Sequence, residues 1–160
     1  MKKFFKTAAP ILILICVLSL WFNQNEAQSS LSSITKTNIE SKKVRISTGD
    51  IEIIVTLNDS KAAEDFVTLL PITTTLVERN NFAKSMRLPR NLVTDEKTTR
   101  NYELGNLNYW DDGPSVSIVY NDIYEQTIVP IIPIGKAGNE AKKLSNASGL
   151  VTLELVQEKK

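Results

Sequence analysis

A mostly β fold, a closed antiparallel barrel of about eight strands with one or two short helices, is what this sequence predicts. Three observations carry the prediction. Beyond residue 43, apolar and polar residues alternate with period two over several short runs. Turn-forming residues such as Thr48-Gly49-Asp50 and Gly113-Pro114 separate those runs. A single stretch, near residue 65, carries apolar residues at clear helical spacing, and no internal repeat is present.

Each element follows from its own residues. Val44 and Ile46, then Ile51, Ile53, Val55 and Leu57, alternate with Arg45, Glu52 and Thr56, which predicts a hairpin of half-buried strands. Asn58, Asp59 and Ser60 can cap a helix in which Ala63, Phe66, Val67 and Leu70 share one face, and Pro71 ends it. The β-branched run from Ile72 to Val77 favours a strand. From Asn80 to Glu103 apolar residues are few and no period is visible, so a long loop is expected, carrying Lys84, Arg87, Arg90, Lys97 and Arg100. Strand signals return at Leu107 to Trp110, at Val116 to Tyr120 and at Thr127 to Ile134, where Pro130 and Pro133 imply an edge, a bulge or two pieces. Asn139 to Leu144 suits one short helix, and Leu150 to Val156 alternates again.

The chain divides into three parts: a signal peptide or signal anchor over residues 1–27, a polar tether over 28–42, and the barrel domain over 43–160. Lys2, Lys3 and Lys6 precede an apolar stretch from Ala8 to Phe22, the layout of a secretory signal. At 1.5 Å per residue that stretch reaches about 22 Å, short of a bilayer core of about 30 Å, which favours cleavage over anchoring. Ala27 is small but Asn25 departs from the preferred cleavage pattern, so both topologies stand. Either way the domain is expected outside the cytoplasm, extracellular or extracytoplasmic, touching a membrane only through the N-terminal segment. The single Cys, Cys16, lies inside the apolar stretch and reads as an ordinary apolar residue, leaving the domain to depend on packing and not on disulfides.

Composition narrows the chemistry. The 160 residues include no His, which excludes imidazole bases, Ser/His and Cys/His pairs and His-ligated metals. A net charge of +1 argues against nucleic acid as a partner. Asp111-Asp112 and Asp95-Glu96 are adjacent in sequence, which suits neither an acid/base dyad nor a calcium loop, so no metal and no cofactor are expected.

The string from Glu103 to Trp110 (ELGNLNYW), then Gly113-Pro114 and Val116-Ser117-Ile118-Val119-Tyr120, resembles the "GDI-x-Y-W … G … L-x-I-F-Y-G" core of small bacterial cyclophilin-like proteins. Leu88-Pro89, Ile132 to Lys136 and Gly149-Leu150-Val151 agree with it. The resemblance spans about residues 43 to 157 and implies a cyclophilin-like barrel of eight strands with helices over its ends. The motifs that line the proline pocket of cyclophilin prolyl isomerases are absent, and Gly105-Asn106 replaces the group's Gly-Asp pair.

The expected function is therefore an exported binding module for an extended peptide or a small molecule, with no catalytic residue assigned. Candidate ligand contacts are Phe82, Arg87, Arg90, Tyr109, Trp110 and Tyr120. The alternative is an extracytoplasmic peptidyl-prolyl isomerase with residual activity, in which Arg87 or Arg90, and after them Arg100 or Arg79, supplies the donor aimed at the proline nitrogen. A third reading is a protein that meets a partner at the membrane face through the barrel's outer surface.

Overall fold

The computed structural model describes residues 42–110 and 113–157. The expected signal or anchor, nearly all of the tether, Asp111-Asp112 and Lys159-Lys160 lie outside the described residues. Eight strands form one closed antiparallel barrel: β1 (Lys43–Thr48), β2 (Ile51–Leu57), β3 (Ile72–Arg79), β4 (Ala83–Arg87), β5 (Asn106–Trp110), β6 (Ser115–Val119), β7 (Ile131–Lys136) and β8 (Gly149–Leu155). Around the barrel they run β1-β2-β7-β5-β6-β4-β3-β8, and β8 pairs back onto β1 with Ile46 opposite Leu153. Closure gives every strand two neighbours, although β2 and β7 meet over only two residue pairs, Thr56 with Lys136 and Leu57 with Gly135. Among the described residues no helix is long and apolar enough to cross a membrane.

Period two sorts the side chains. One cross-strand row, Tyr109 opposite Val116, Met86 and Leu76, points inward, and all four residues are buried in the core. Val44, Ile46, Ile53, Val55, Ile134 and Leu153 complete the interior, each almost inaccessible to solvent. At roughly 1.5–3 kcal/mol for each fully buried large aliphatic side chain, this filled interior is the main stabilising feature of the barrel.

Helix α1 (Lys61–Val67) begins where the Ser60 hydroxyl accepts the Ala63 N–H at 3.1 Å. Asn58 sets that cap, its side-chain oxygen accepting from the Ser60 N–H at 3.1 Å and from its hydroxyl at 2.6 Å. Ala62, Ala63 and Phe66 join the barrel core. A 3-10 helix (Gly138–Leu144) adds Ala141 and Leu144 to the same core.

Two expectations are corrected. The segment from Asn80 to Glu103 is not one long loop, because β4 stands within it, paired with β3 and β6. The turn that enters β4 has Asn80 and Asn81 both at φ +54°, closed by the Phe82 N–H on the Arg79 carbonyl at 2.9 Å. The strand expected over Thr127 to Ile134 starts after Pro130, at Ile131. Pro133 sits at a bulge, where Leu107 and Asn108 of β5 face Gly135 and Pro133 and leave Ile134 as the extra residue.

Candidate functional site

Among the described residues, a concavity with mostly apolar walls lies on the outer face of the barrel. Asn108 on β5 stands opposite Ser117 on β6, Ser117 opposite Ser85 on β4, and Ser85 opposite Val77 on β3. This row points away from the core, yet Asn108 is only 1% exposed and both serines are buried. The segments that turn the outer face into a pocket are the β3–β4 turn and residues 121–130. Together with the sheet they enclose about 300 Å³. Asn108, Ser117 and Val119 belong to the sheet face of the pocket, while Trp110, Arg79, Phe82, Tyr124 and Ile128 are among its walls.

The walls are braced. Phe82 packs edge-on against Tyr102 at 4.7 Å and Tyr124 at 5.4 Å between centroids. The Tyr102 hydroxyl accepts the Tyr124 N–H at 3.1 Å and faces the Tyr124 carbonyl and the Asp122 carboxylate as acceptors. Burial pushes the Tyr102 phenol above its ordinary value, so it stays a protonated clasp. Residues 121–130 are further held by the Thr127 N–H on the Arg100 carbonyl at 2.9 Å. Arg79 and Trp110 come from rows on either side of the Asn108 row and meet, with the guanidinium carbon 5.5 Å from the indole centroid. Ile128 is 80% exposed, an apolar side chain left in water beside the pocket.

At the sheet face the Asn108 side chain has no hydrogen-bond partner among the described residues, through either its nitrogen or its oxygen. Leaving one buried polar group without a partner costs about 1–3 kcal/mol. The pocket thus combines apolar walls with one donor and one acceptor that the rest of the fold leaves unused.

The structure divides the sequence-derived candidates. Phe82 and Trp110 line this pocket. Tyr109 points into the core, with its hydroxyl receiving the Leu92 N–H at 3.3 Å. Tyr120 is also buried and donates to the Glu78 carboxylate, whose oxygens lie at 3.1 and 3.2 Å. Arg90 donates to the Asp65 carboxylate through its two terminal guanidinium nitrogens, at 2.5 and 3.0 Å. Hydrogen bonding from Arg90, opposed by burial and aided by the Val93 N–H, holds the Asp65 carboxyl at about 2. Arg87 is exposed beside a different groove that Leu88 and Pro89 also line. Arg79, a secondary donor candidate from the sequence, also lines the pocket, whereas Asn108, Tyr124 and Ile128 are pocket residues that sequence reasoning missed. A signal existed for Asn108, since it and Ser117 are polar residues inside runs otherwise read as strand.

A polar cluster adjoins the site. Lys84 points inward from β4 and is buried, with its ammonium 2.7 Å from the Glu78 carboxylate and 2.8 Å from the Ala147 carbonyl. Burial pushes the Glu78 carboxyl up, but hydrogen bonds from Lys84 and Tyr120 outweigh it and leave the group below its ordinary value. Among the described residues no group of three or more acidic or thiol side chains is placed to hold a metal.

Comparison with known proteins places the chain in a family. The family model described as the cyclophilin-like family matches residues 46–156. The solution structure of the hypothetical protein AF2241 from Archaeoglobus fulgidus is similar in fold, with a TM-score of 0.57 and 19% identity over 71% of this chain and 94% of that one. The search among curated proteins found no match. With the family model covering most of its length, this chain belongs to the cyclophilin-like family.

Proposed function

We propose that this protein is an exported binding module that takes an extended peptide or a small molecule in the outer-face pocket. The observation that carries the reading is the juxtaposition of exposed and half-buried apolar walls, Trp110, Phe82 and Ile128, with the unpaired amide of Asn108. Apolar walls supply area, and a single polar pair supplies orientation. Export is supported by the basic, apolar and polar succession at the N-terminus.

Aromatic side chains in such a seat carry most of the binding energy. In a screen of short capped peptides against the full chain, Trp110→Ala and Phe82→Ala are expected to weaken the best ligand by about tenfold or more. Arg87→Ala, beside the other groove, is expected to leave it unchanged. Loss on Arg87→Ala with no effect of Trp110→Ala would move the seat and overturn the reading.

One observation favours a second reading, a foldase with residual prolyl isomerase activity. Arg79 brings a guanidinium to the pocket wall, the donor type that helps an amide nitrogen through the rotation barrier of about 20 kcal/mol. A coupled peptide isomerisation assay decides between them. Turnover that vanishes in Arg79→Ala would make the protein an enzyme.

A further inference from the structure

The Asn108 amide restricts what the pocket can hold. Its nitrogen is a donor and its oxygen an acceptor, side by side, and both are buried without partners among the described residues. In an extended chain the N–H and C=O of one residue point to the same edge, as they do in the narrow hydrogen-bonded pair of an antiparallel ladder. One residue of an extended peptide therefore presents the complementary acceptor and donor together. A proline cannot do so, because it has no N–H.

The pocket's size agrees with one residue. About 300 Å³ is the lower end of ligand-site volumes, room for a single apolar side chain with its backbone amides. Trp110, Phe82 and Ile128 supply the apolar surroundings.

We infer that the pocket grips one non-proline apolar residue of an extended peptide. The residue's N–H donates to Asn108 Oδ1, its C=O accepts from Asn108 Nδ2, and its side chain lies among Trp110, Phe82 and Ile128. This rests on the pocket reading above and adds to it the ligand's backbone chemistry. A ligand that satisfies only half of the amide leaves the other half buried and unpaired, which is the physical source of the selectivity.

The test uses the full 160-residue chain in detergent micelles, labelled with ¹⁵N and titrated to millimolar concentration. Three probes are compared: N-acetyl-leucine N-methylamide, the same compound methylated on the leucine nitrogen, and N-acetyl-proline N-methylamide. The expected result is a shift of the Asn108 side-chain NH₂ signals with the first probe, bound about tenfold or more tightly than the other two, and loss of that preference in Asn108→Ala. Equal binding of all three probes, accompanied by shifts at the Trp110 indole, would overturn the inference and leave the pocket as the seat. A preference that survives Asn108→Ala would overturn it as well. Absence of any shift at pocket residues would remove both the inference and the reading beneath it. Comparing the three probes on the unaltered chain keeps the test independent of how the variant folds.

Discussion

The Asn108 side chain is buried with no hydrogen-bond partner among the described residues, and at the scale of single residues this is where stability and binding pull apart. Asn108→Leu, close in volume and without polar atoms, is expected to raise the unfolding free energy by about 1–3 kcal/mol in urea titration while abolishing peptide binding. A destabilised variant would mean that the amide has a partner. Gly105 illustrates the opposite constraint. It sits at φ +83°, and a Cβ there would lie 2.3 Å from the backbone of Gly138, so Gly105→Ala is expected to lower the melting temperature strongly. Asp65 ties α1 to the segment after β4 through Arg90 and the Val93 N–H at 2.8 Å. Its carboxyl is held at about 2 against an ordinary 3.8, so its contribution is complete above about pH 4 and is lost as pH falls toward 2. In Asp65→Asn the fall in stability over that pH window should be shallower than in the parent chain.

At the scale of elements, β4 is the instructive strand. Its residues Ala83, Lys84, Ser85 and Met86 are all buried, so its sequence shows no alternation, and a buried Lys with an outward but covered Ser imitates a solvated loop. Only the Asn80-Asn81 pair, a turn signal ahead of it, hinted at the hairpin. The strands around Ile53, Val116 and Leu153 were legible because each has one face in the core. The pocket was only half legible. Phe82 and Trp110 can be read as aromatics near turns, but the covering of the outer face by residues 121–130 depends on the Tyr102 clasp, which no local pattern announces. Lys84 is expected to matter for the fold. Lys84→Ala leaves the Ala147 carbonyl and the Glu78 carboxylate without their cation and should cost about 1–3 kcal/mol by chemical denaturation. Amide exchange provides a second check on the strand: residues 83–87 should be protected like Ile51 to Leu57, and faster exchange there would contradict the β3–β4–β6 pairing.

At the scale of the whole molecule, closure decides where a ligand can sit. The barrel's own side chains, Tyr109 and Met86 among them, pack the core, and a cavity lies on the outside, where a loop lies over polar strand residues. A fold shared with other cyclophilin-like proteins does not carry their chemistry with it, and this chain has no His to offer. Its own candidate site is the combination of Asn108, Trp110, Arg79 and Phe82 around one pocket. The most direct measurement is a crystal structure of the chain with the tightest peptide from the screen. Density for an extended residue above Asn108, flanked by Trp110 and Phe82, is the expected result. Density inside the barrel, or in the groove beside Arg87 and Pro89, would contradict it.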